Sequence, residues 1–376
     1  MVSVGSTTIE TMNDDSSSAG NETYCAIRRP AGERFIEVLD QRLLPHEVAM
    51  CRIASADRAA QAIADMVVRG APLIGAVGAY GLALALDADA SDDALSRAHA
   101  MLDAARPTAV NLRWALDRMR TRVAPLPERE RADVAWDEAD AIRTEDVAIN
   151  AALARHGLAL LGEIARGRNR PLNVMTHCNA GALATCGLGT ATGPIFLAHR
   201  EGMPIHVWVS ETRPRLQGAN LTAWEMAQHG IAHTLIVDSA SGSLMRRGDV
   251  DIVIVGADRV ARNGDVCNKI GTYDKALAAT DNGVPFHVAL PSPTIDWKTP
   301  SGDAIPIEAR SADEVLAVRG RTPRGTTDTV SLAGEGTRAL NFAFDVTPHR
   351  LVSGYITERG LARDAQALAA MYPERR

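Results

Sequence analysis

The chain has 376 residues, of which 46% are hydrophobic and 23% are charged, and its formal net charge at pH 7 is −6. An acidic balance argues against nucleic acid as a partner, because nucleic-acid binding needs a basic face. We find no apolar run of about 18 residues, the length that a membrane span requires, so we expect no membrane contact. The length predicts two domains, each with its own hydrophobic core.

The amino-terminal segment and the cysteines indicate a cytoplasmic protein. Residues 1–22 are polar and acidic and lack the basic start and apolar centre of a signal peptide, which predicts a disordered leader. The cysteines are odd in number and include no CxxC pair, which is typical of reduced thiols rather than of disulfides. They are Cys25, Cys51, Cys178, Cys186 and Cys267.

Residues 23–165 predict a mainly helical amino-terminal domain. Apolar residues recur at helical spacing over residues 57–68, 92–105 and 110–120. Thr108 is the expected N-cap of the third of these helices, since it stands directly before the periodic segment and after a proline.

A stripe of small residues follows Arg69 at the start of another predicted helix. Gly75, Gly78 and Gly81 recur there at every third position, which predicts close helix packing rather than contact with a ligand. Arg69 itself, at the helix start, is a candidate for binding a phosphate group. Arg106, which precedes a proline at a second helix start, is a similar candidate.

From residue 166 to residue 376, short β-rich runs alternate with helical segments, which predicts a second, catalytic domain. The runs are residues 172–176, 205–209, 234–237, 252–255 and 286–290. Such alternation predicts parallel βαβ units in an α/β fold with a doubly wound, Rossmann-like sheet. Ligands of these sheets bind beyond the carboxyl ends of the strands. This rule selects the residues placed just past predicted strands: Cys178, Glu211, Asp238 and Asp258.

The glycine-rich residues 187–193 (GLGTATG) have two interpretations. They resemble a dinucleotide fingerprint, and Glu211 follows the next strand, where a ribose-binding acid would stand. However, the glycine spacing is G-x-G-x-x-x-G, and the first glycine comes nine residues after Cys178 instead of directly after the strand. Binding of an anion by backbone N–H groups at the following helix start is free of both objections.

Polar side chains near residue 260 suit a sugar phosphate. Asp258 emerges from a fully apolar strand, and burial would raise its pKa and keep it protonated as a general acid; a carboxylate that caps the next turn is the alternative. Asn268 and Lys269 stand at the predicted start of a helix over residues 269–282. They suit a phosphate there, although an ordinary solvated lysine fits the pattern equally well.

The segment after the second strand carries further polar candidates. Arg213 and Arg215 flank a proline in a loop suited to bidentate contacts with an oxyanion. Gln217 is placed to bind sugar hydroxyls.

Metal and hydrolase chemistry have little support in the sequence. His229 and His233 have helical spacing, but they stand at a helix–strand junction. Neither an HExxH motif nor a Cys/His cluster is present, and the GxSxG motif of many hydrolases is absent.

Seven motifs give the chain a resemblance to a known family. They are RGAPLIGAVGAYG, RPTAVNLRWALDRM, THCNAGALATCGLGTATG, ETRPRLQGANLTAWEM, VDSASGSLM, GADRVARNGDVCNKIGTYDKA and FDVTP. With these motifs the chain resembles the methylthioribose-1-phosphate isomerases. That family belongs with the regulatory subunits of translation initiation factor 2B and with ribose-1,5-bisphosphate isomerases. The resemblance extends over residues 24–360.

The resemblance implies a reaction and a set of site residues. A homodimer would convert 5-methylthioribose 1-phosphate into 5-methylthioribulose 1-phosphate in methionine salvage, with neither a metal nor a nucleotide cofactor. Cys178 and Asp258 match the family's catalytic pair. The implied substrate-binding residues are Arg69, Gly70, Ala71, Arg106, Gln217, Asn268 and Lys269. Arg113, in the same motif, is the alternative to Arg106.

The implied chemistry has two possible routes. The furanose ring must first open, and a protonated Asp258 would deliver a proton to the ring oxygen. Hydrogen then moves from C2 to C1. It moves either as a proton, with Cys178 as the base, or as a hydride, with Cys178 stabilising the transition state. An apolar pocket that excludes water favours both routes.

Two segments depart from the family pattern and leave the 5-substituent of the sugar open, although they leave the phosphate site untouched. Residues 341–344 read NFAF where Asn-Pro-Ala-Phe is expected, and residues 318–336 are rich in Arg, Gly and Thr. In the family this region closes around the non-phosphate end of the sugar, so 5-deoxyribose 1-phosphate is a second possible substrate. A regulatory subunit without activity and a nicotinamide-dependent oxidoreductase are two further hypotheses for the function. Retention of both Cys178 and Asp258 argues against the regulatory subunit.

Overall fold

A computed structural model describes residues 24–375, and the predicted leader over residues 1–22 lies outside this range. Helices and strands alternate through most of it, so the α/β class is confirmed, as is the helical character of the amino-terminal region. The elements before residue 166 are β1 (Ile27–Arg28), β2 (Ile36–Leu39), β3 (Met50–Ile53), α1 (Ala56–Ala64), α2 (Ala71–Ala88), α3 (Asp92–Ala105), α4 (Val110–Val123) and α5 (Glu128–Ala165).

The three helices predicted from periodicity are present: α3 has the predicted bounds, and α1 and α4 have shifted ends. Helix α1 stops at Ala64, because the chain then turns through Met66, whose φ is +58°. The N-cap position of α4 is Ala109, so the prediction of Thr108 as the cap is wrong. The hydroxyl of Thr108 lies instead 3.5 Å from a carboxylate oxygen of Glu308. The short antiparallel strands β1, β2 and β3 were not predicted.

The glycine stripe of α2 packs closely against α4, as its spacing predicts. A Cβ on Gly78 would lie 2.4 Å from Leu112 Cδ1, and a Cβ on Gly75 would lie 3.0 Å from the carbonyl oxygen of Asn111. Both distances are shorter than ordinary van der Waals contact. The absence of side chains at these positions therefore lets the two helix backbones approach each other.

Within residues 24–375, two helices are long and apolar enough to span a membrane by length and composition, although we found no apolar run of that length in the sequence. They are α2, of 18 residues, and α5, of 38 residues. Most of α2 is packed inside the protein, where it forms part of a core with α1, α3 and α4. Length and composition alone are therefore weak grounds for assigning α2 to a membrane.

The elements after residue 166 build the larger sheet and its helices. They are β4 (Leu172–His177), α6 (Gly193–Arg200), β5 (Ile205–Ser210), α7 (Ala223–Gln228), β6 (His233–Ile236), α8 (Ser241–Arg246), β7 (Ile252–Val255), β8 (Arg259–Ala261), β9 (Val266–Lys269), α9 (Thr272–Asp281), β10 (Phe286–Ala289), β11 (Ile295–Asp296), α10 (Asp313–Leu316), β12 (Ala317–Arg321), β13 (Thr327–Ser331), β14 (Phe344–Thr347), β15 (Gly354–Thr357), β16 (Gly360–Ala362) and α11 (Ala365–Ala370). A π-helical turn, Gly218–Thr222, precedes α7.

The largest sheet of the described chain has seven strands in the order β16-β15-β10-β7-β4-β5-β6. Its neighbouring strands are parallel except β15 and β16, so the five predicted strands are present in a sheet with one antiparallel edge. Leu172 pairs with Ile205 and His177 with Ser210, which aligns the carboxyl ends of β4 and β5. A second sheet, β11-β8-β9-β14, and the hairpin β12-β13 were not predicted.

Apolar strands fill the sheet because helices cover both of its faces. In β7, Ile252 and Ile254 belong to a core that includes residues of α5 and α6, whereas Val253 and Val255 belong to a core that includes residues of α8 and α9. Helix α5 contributes to two cores, since its first half packs with α2 and its second half with the sheet. The predicted domain boundary after residue 165 stays a prediction.

Two glycines of α5 predict opposite effects of substitution by alanine. A Cβ on Gly157 would lie 2.2 Å from Pro194 Cγ, so Gly157→Ala should destabilise the fold by about 1–3 kcal/mol through overpacking. A Cβ on Gly162 would have no atom within 4 Å. Gly162→Ala should therefore stabilise the fold by about 0.5–1 kcal/mol through helix propensity. Unfolding in denaturant measures both changes. Equal effects of the two substitutions would contradict the packing of α5 against α6.

Candidate active site

One cavity lies between the amino-terminal end of α2 and the carboxyl ends of β4 and β7. Its wall combines residues from elements before and after residue 166, including strand β9 and the loop after β5. The nine residues that the family resemblance assigns to the site all line it: Arg69, Gly70, Ala71, Arg106, Cys178, Gln217, Asp258, Asn268 and Lys269. The fold therefore brings together side chains that are far apart in the sequence.

The strand-end rule selected four residues, and two of them, Cys178 and Asp258, line the cavity. Asp238 lies behind the wall, where it accepts hydrogen bonds from the backbone N–H groups of Thr212 and Arg213 at 2.8 and 2.7 Å. Glu211 is not among the residues that line the cavity.

Cys178 follows β4 directly and is buried. Its Sγ lies 2.9 Å from Gln217 Oε1, and the thiol donates this hydrogen bond because an amide oxygen can only accept. Burial raises the pKa of the thiol, although Arg69 and Lys269 act in the opposite direction. The Cys178 side chain is therefore a neutral thiol near neutral pH, with its proton directed at Gln217.

Asp258 follows β7 and reaches the same cavity. Its backbone N–H donates to the carbonyl oxygen of Cys267 at 3.0 Å. Burial raises the pKa of the Asp258 carboxyl, with Lys269 and Arg106 opposing the shift. Within residues 24–375 the carboxyl caps no backbone N–H group, so the turn-capping alternative is not supported. A carboxyl that keeps its proton to higher pH has the property that a general acid needs.

Arg69 is held in the cavity wall by a buried chain of polar groups. Its Nη1 donates to Asn179 Oδ1 at 2.5 Å and its Nη2 donates to the Asn179 carbonyl oxygen at 2.7 Å. Asn179 Nδ2 in turn donates to the carboxyl of Glu225, which also accepts from the N–H of Leu183 at 3.0 Å. This chain fixes the guanidinium group in one orientation.

Lys269 and Arg106 add positive charge to the cavity. Lys269 Nζ lies 4.4 Å above the ring of Phe344, and burial lowers the pKa of this ammonium group while Cys178 and Asp258 act to raise it. Arg106 Nη2 lies 3.5 Å from Glu308 Oε2. With Arg69 nearby, these cations make the cavity suitable for an anion.

The structure distinguishes between the two arginines of the same motif. Arg106 lines the cavity, whereas Arg113 is an exposed side chain on α4 that forms an ion pair with Asp103. Arg106 is therefore the better candidate for binding a ligand.

The amino-terminal end of α2 forms another part of the wall. Gly70 precedes the helix with a φ of +100°, and a Cβ at this position would lie 2.5 Å from Ala184 Cα. Both features require glycine. Ala71 is the first residue of this 18-residue helix, and the first N–H groups of a helix have no partner within it and attract anions.

The backbone N–H groups of the glycine-rich loop over residues 187–193 are mostly paired within the protein, whereas anion binding at the start of the following helix, α6, stays a prediction. The N–H groups of Gly187 and Gly189 both donate to Thr185 Oγ1 at 3.1 Å. The N–H groups of Thr190 and Thr192 both donate to the carbonyl oxygen of Ala180. Because these N–H groups already have partners within the protein, they are not available to bind a phosphate or a dinucleotide.

Asn268 and Lys269 line the cavity, but they do not start a helix as predicted. They are the last two residues of β9, which pairs with β8 and β14, and helix α9 begins at Thr272. Asn268 Nδ2 donates to Thr272 Oγ1 at 3.0 Å, which fixes its amide group beside the cavity.

Arg213 and Arg215 do not form the expected oxyanion site. Arg213 Nη2 donates to the carbonyl oxygen of Val315 at 2.8 Å, and Arg215 Nη1 pairs with Glu314 Oε1 at 2.7 Å. Both guanidinium groups attach the loop after β5 to α10, which holds Gln217 near Cys178.

The described residues contain neither a group of three His, Cys, Asp or Glu side chains that could hold a metal ion nor a disulfide. The ring of His229 packs against Phe196 with centroids 4.7 Å apart, and His233 Nδ1 lies 2.8 Å from the carbonyl oxygen of Ile231. Each histidine therefore has a structural contact.

Several residues around the cavity were not predicted from the sequence. Asn179 stands next to Cys178, and that position was the available signal. Glu308 lies in an irregular segment far along the chain, where no local pattern points to it. Phe344 belongs to the segment 341–344 that departs from the family pattern, but its contact with Lys269 cannot be read from the sequence. Thr212 and Thr222 have the ordinary appearance of loop and helix residues.

Comparisons with known proteins show the family of the chain. The model of the Initiation factor 2 subunit family matches residues 67–363. The chain is 54% identical over 361 residues to a methylthioribose-1-phosphate isomerase of Rhizobium meliloti (strain 1021), covering 95% of this chain and 99% of the relative. It is 37% identical to the crystal structure of 5-methylthioribose 1-phosphate isomerase from Pyrococcus horikoshii OT3, with a TM-score of 0.81 and coverage of 94% and 97%. It is 34% identical to the translation initiation factor eIF-2B subunit delta from A. fulgidus, with a TM-score of 0.76 and coverage of 93% and 100%.

Proposed function

The chain belongs to the initiation factor 2 subunit family, among its methylthioribose-1-phosphate isomerases, and we propose on this basis that the cavity between α2 and the sheet is its active site. The enzyme converts 5-methylthio-α-D-ribose 1-phosphate into 5-methylthio-D-ribulose 1-phosphate, an aldose–ketose isomerisation of methionine salvage. The observation that supports the site best is the convergence of all nine expected residues on one cavity.

Asp258 is the proposed proton donor for ring opening. The substrate carries its phosphate on the anomeric oxygen, so the ring can open only when the ring oxygen receives a proton. The raised pKa of Asp258 supplies a protonated carboxyl for this step. The 2-hydroxyl later loses its proton as C2 becomes a ketone. This proton replaces the one that Asp258 gave to the ring oxygen, so the enzyme is unchanged overall.

Cys178 is proposed to act as a neutral thiol. A base would need the thiolate, but burial raises the pKa of this thiol and its hydrogen bond to Gln217 uses the proton. Both observations favour hydride movement from C2 to C1, with Cys178 stabilising the transition state, over proton abstraction by Cys178.

The cationic part of the cavity is proposed to bind the phosphate. Arg69, Arg106 and Lys269 supply charge, and the N–H groups at Gly70 and Ala71 supply donors at a helix start. Gln217 and Asn268 are the proposed partners of the sugar hydroxyls.

Removal of the Arg106 guanidinium should weaken substrate binding. Arg106→Met is expected to raise KM about 10–100-fold, because one charge-assisted hydrogen bond to the phosphate is lost and the charge of Glu308 is then balanced by Arg310 and no longer by Arg106. Arg113→Met, in the same motif but on the surface, is the matched control and should leave KM unchanged. A larger effect at Arg113 would assign the binding role to that residue. Initial rates over a range of substrate concentration measure both.

Further features of the protein are proposed on the resemblance and on composition. The larger sheet is proposed to be a Rossmann-like, doubly wound domain, and the enzyme to work as a cytoplasmic homodimer. It is proposed to need neither a metal nor a nucleotide cofactor and to bind neither nucleic acid nor membranes. The net charge of −6 supports the exclusion of nucleic acid.

The substrate is tested by phosphorus and proton NMR of the wild-type protein with 5-methylthioribose 1-phosphate, with 5-deoxyribose 1-phosphate in a parallel tube. We expect the methylthio ketose to form at much the higher rate. Preference for the deoxy sugar would assign the enzyme to that substrate instead. Turnover of neither sugar would remove the isomerase function and favour a regulatory role.

A further inference from the structure

Cys178 has a backbone conformation that few residues other than glycine adopt. Its φ is +61°, in the left-handed region, where a side chain crowds the following carbonyl. Such a conformation persists only when neighbouring groups hold it, and residues held in this way cluster at functional sites. The groups that hold the Cys178 backbone therefore determine where its thiol points.

Two threonine hydroxyls hold the backbone of Cys178, one on each side. The N–H of Cys178 donates to Thr212 Oγ1 at 2.8 Å. The carbonyl oxygen of Cys178 accepts from Thr222 Oγ1 at 2.6 Å. Because both polar groups of one residue are paired with side chains, the residue is independent of regular secondary structure. We call Thr212 and Thr222 the threonine clamp.

The surroundings of Thr212 fix which way its hydroxyl points. Thr212 Oγ1 lies 2.9 Å from the carbonyl oxygen of Ser210 and 3.3 Å from His177 Nδ1, and both can accept its proton. His177 Nε2 lies 2.8 Å from the carbonyl oxygen of Ile270, so the ring proton is on Nε2 and Nδ1 is an acceptor. The Thr212 oxygen is thus left to accept from Cys178. The backbone N–H of Thr212 donates to Asp238 Oδ1 at 2.8 Å.

Thr222 is fully buried at the end of the π-helical turn Gly218–Thr222. The turn packs directly on the end of β5, since a Cβ on Gly218 would lie 1.7 Å from the Ser210 carbonyl oxygen. Gln217, which accepts the proton of the Cys178 thiol, immediately precedes this turn. One irregular turn and the residue directly before it therefore supply both the group that holds the Cys178 carbonyl and the group that receives its thiol proton. Such π-helical turns are frequent at functional sites.

We propose that the threonine clamp is a positioning device for the reaction: Thr212 and Thr222 hold Cys178 in its left-handed conformation and so aim its thiol into the cavity. The proposal rests on the proposed function of Cys178. Threonine suits the task because its branched Cβ restricts the rotation of the hydroxyl. Valine has nearly the same shape, but it would leave a buried N–H or carbonyl group of Cys178 without a partner.

The test replaces each clamp residue in two ways. Thr212→Val and Thr222→Val should each lower kcat about 10–100-fold with KM changed less than about twofold, because misplacement of a reacting group affects the chemical step. Thr212→Ser and Thr222→Ser keep the hydroxyl and should restore kcat to within about threefold of wild type. Thr347→Val is the matched control, since this buried hydroxyl has no hydrogen-bond partner in the described chain.

A second measurement is independent of the substrate. The rate of alkylation of Cys178 by iodoacetamide, followed by peptide mass spectrometry, should rise at least about threefold in both valine variants, because the thiol leaves its buried position. It should stay at the wild-type rate in Thr347→Val. If a valine variant is recovered unfolded, the corresponding alanine variant is measured in its place.

Two results would overturn the proposal. One is wild-type kcat together with a wild-type alkylation rate in the valine variants. The other is failure of serine to restore the kcat that valine loses, in folded proteins. Failure of the proposed function is a separate outcome: the wild-type protein would then turn over neither sugar, while the alkylation rates would still report on the clamp.

Discussion

Replacement of Asp258 by asparagine is expected to lower kcat about 10²–10⁴-fold, the usual contribution of a general acid. Asparagine has the same shape as aspartic acid, but it cannot deliver a proton to the ring oxygen. The surrounding cations Lys269 and Arg106 stay in place, so KM should change little. Steady-state rates with 5-methylthioribose 1-phosphate measure both quantities.

Asp258→Asn, although it lowers kcat, should raise the stability of the folded protein at alkaline pH. Because burial raises the pKa of Asp258 in the folded protein, the folded state holds this proton more tightly than the unfolded chain does. The contribution of Asp258 to stability is therefore present at low pH and is lost as pH rises through its folded pKa. Asp258→Asn removes this loss, so the variant should melt at a higher temperature than wild type at alkaline pH. Wild-type kcat in Asp258→Asn, or a melting temperature below that of the wild type at alkaline pH, would contradict the role of Asp258.

The activity of the wild-type enzyme should follow the same titration. The acid form of Asp258 is required, so kcat/KM should fall as pH is raised through the pKa of this carboxyl in the free enzyme. A profile that rises over the same range would indicate that the ionised carboxylate is the active form.

Replacement of Cys178 by alanine is expected to lower kcat about 10²–10³-fold, comparable with the loss of one group that stabilises a transition state. Cys178→Ser should retain more activity than the alanine variant, because a hydroxyl can still donate to Gln217. If Cys178 were instead a base that works as the thiolate, serine and alanine would be equally poor, since a serine hydroxyl does not ionise near neutral pH.

The control for Cys178 is another cysteine of the same chain. Cys51 lies on β3, away from the cavity, and Cys51→Ala should keep the wild-type kcat. Melting temperatures of the three variants show whether a loss of activity comes from the site or from unfolding. A similar loss of kcat in Cys51→Ala would remove the special role of Cys178.

The sequence predicted the strands that carry the site because each is a short run rich in apolar residues. Residues 252–255 became β7 with unchanged bounds, and residues 172–176 became β4 with one residue more. In a parallel sheet covered on both faces these runs can only be interior strands, so the residue that follows each one falls at the carboxyl edge. Cys178 and Asp258 were found in this way.

The error at Asn268 and Lys269 has a local cause that was visible in the chain. Strands β8 and β9 form an antiparallel hairpin whose turn contains Asn263 and Gly264, and the φ of Gly264 is +89°. Asn-Gly is a strong hairpin signal, but the strands on either side are only three and four residues long. Strands this short carry too little periodicity to be distinguished from the start of the following helix.

The glycine-rich loop shows why composition alone was insufficient. A Cβ on Gly189 would lie 2.4 Å from the carbonyl carbon of Gly181, so this glycine is required by close backbone packing. Glycines that approach a phosphate and glycines that approach another chain segment look the same in a sequence. Contacts such as Arg106 with Glu308, about two hundred residues away, depend on the complete fold and leave no local pattern.

The central claim, that one cavity performs the isomerisation, is tested most directly by proton NMR of ketose formation by three proteins under the same conditions. These are the wild type, Cys178→Ala and Asp258→Asn, each with 5-methylthioribose 1-phosphate. We predict that the wild type forms 5-methylthioribulose 1-phosphate while both variants, folded as judged by their melting, form it at least about a hundredfold more slowly. Ketose formation at the wild-type rate by both variants would contradict the assignment of the reaction to this cavity.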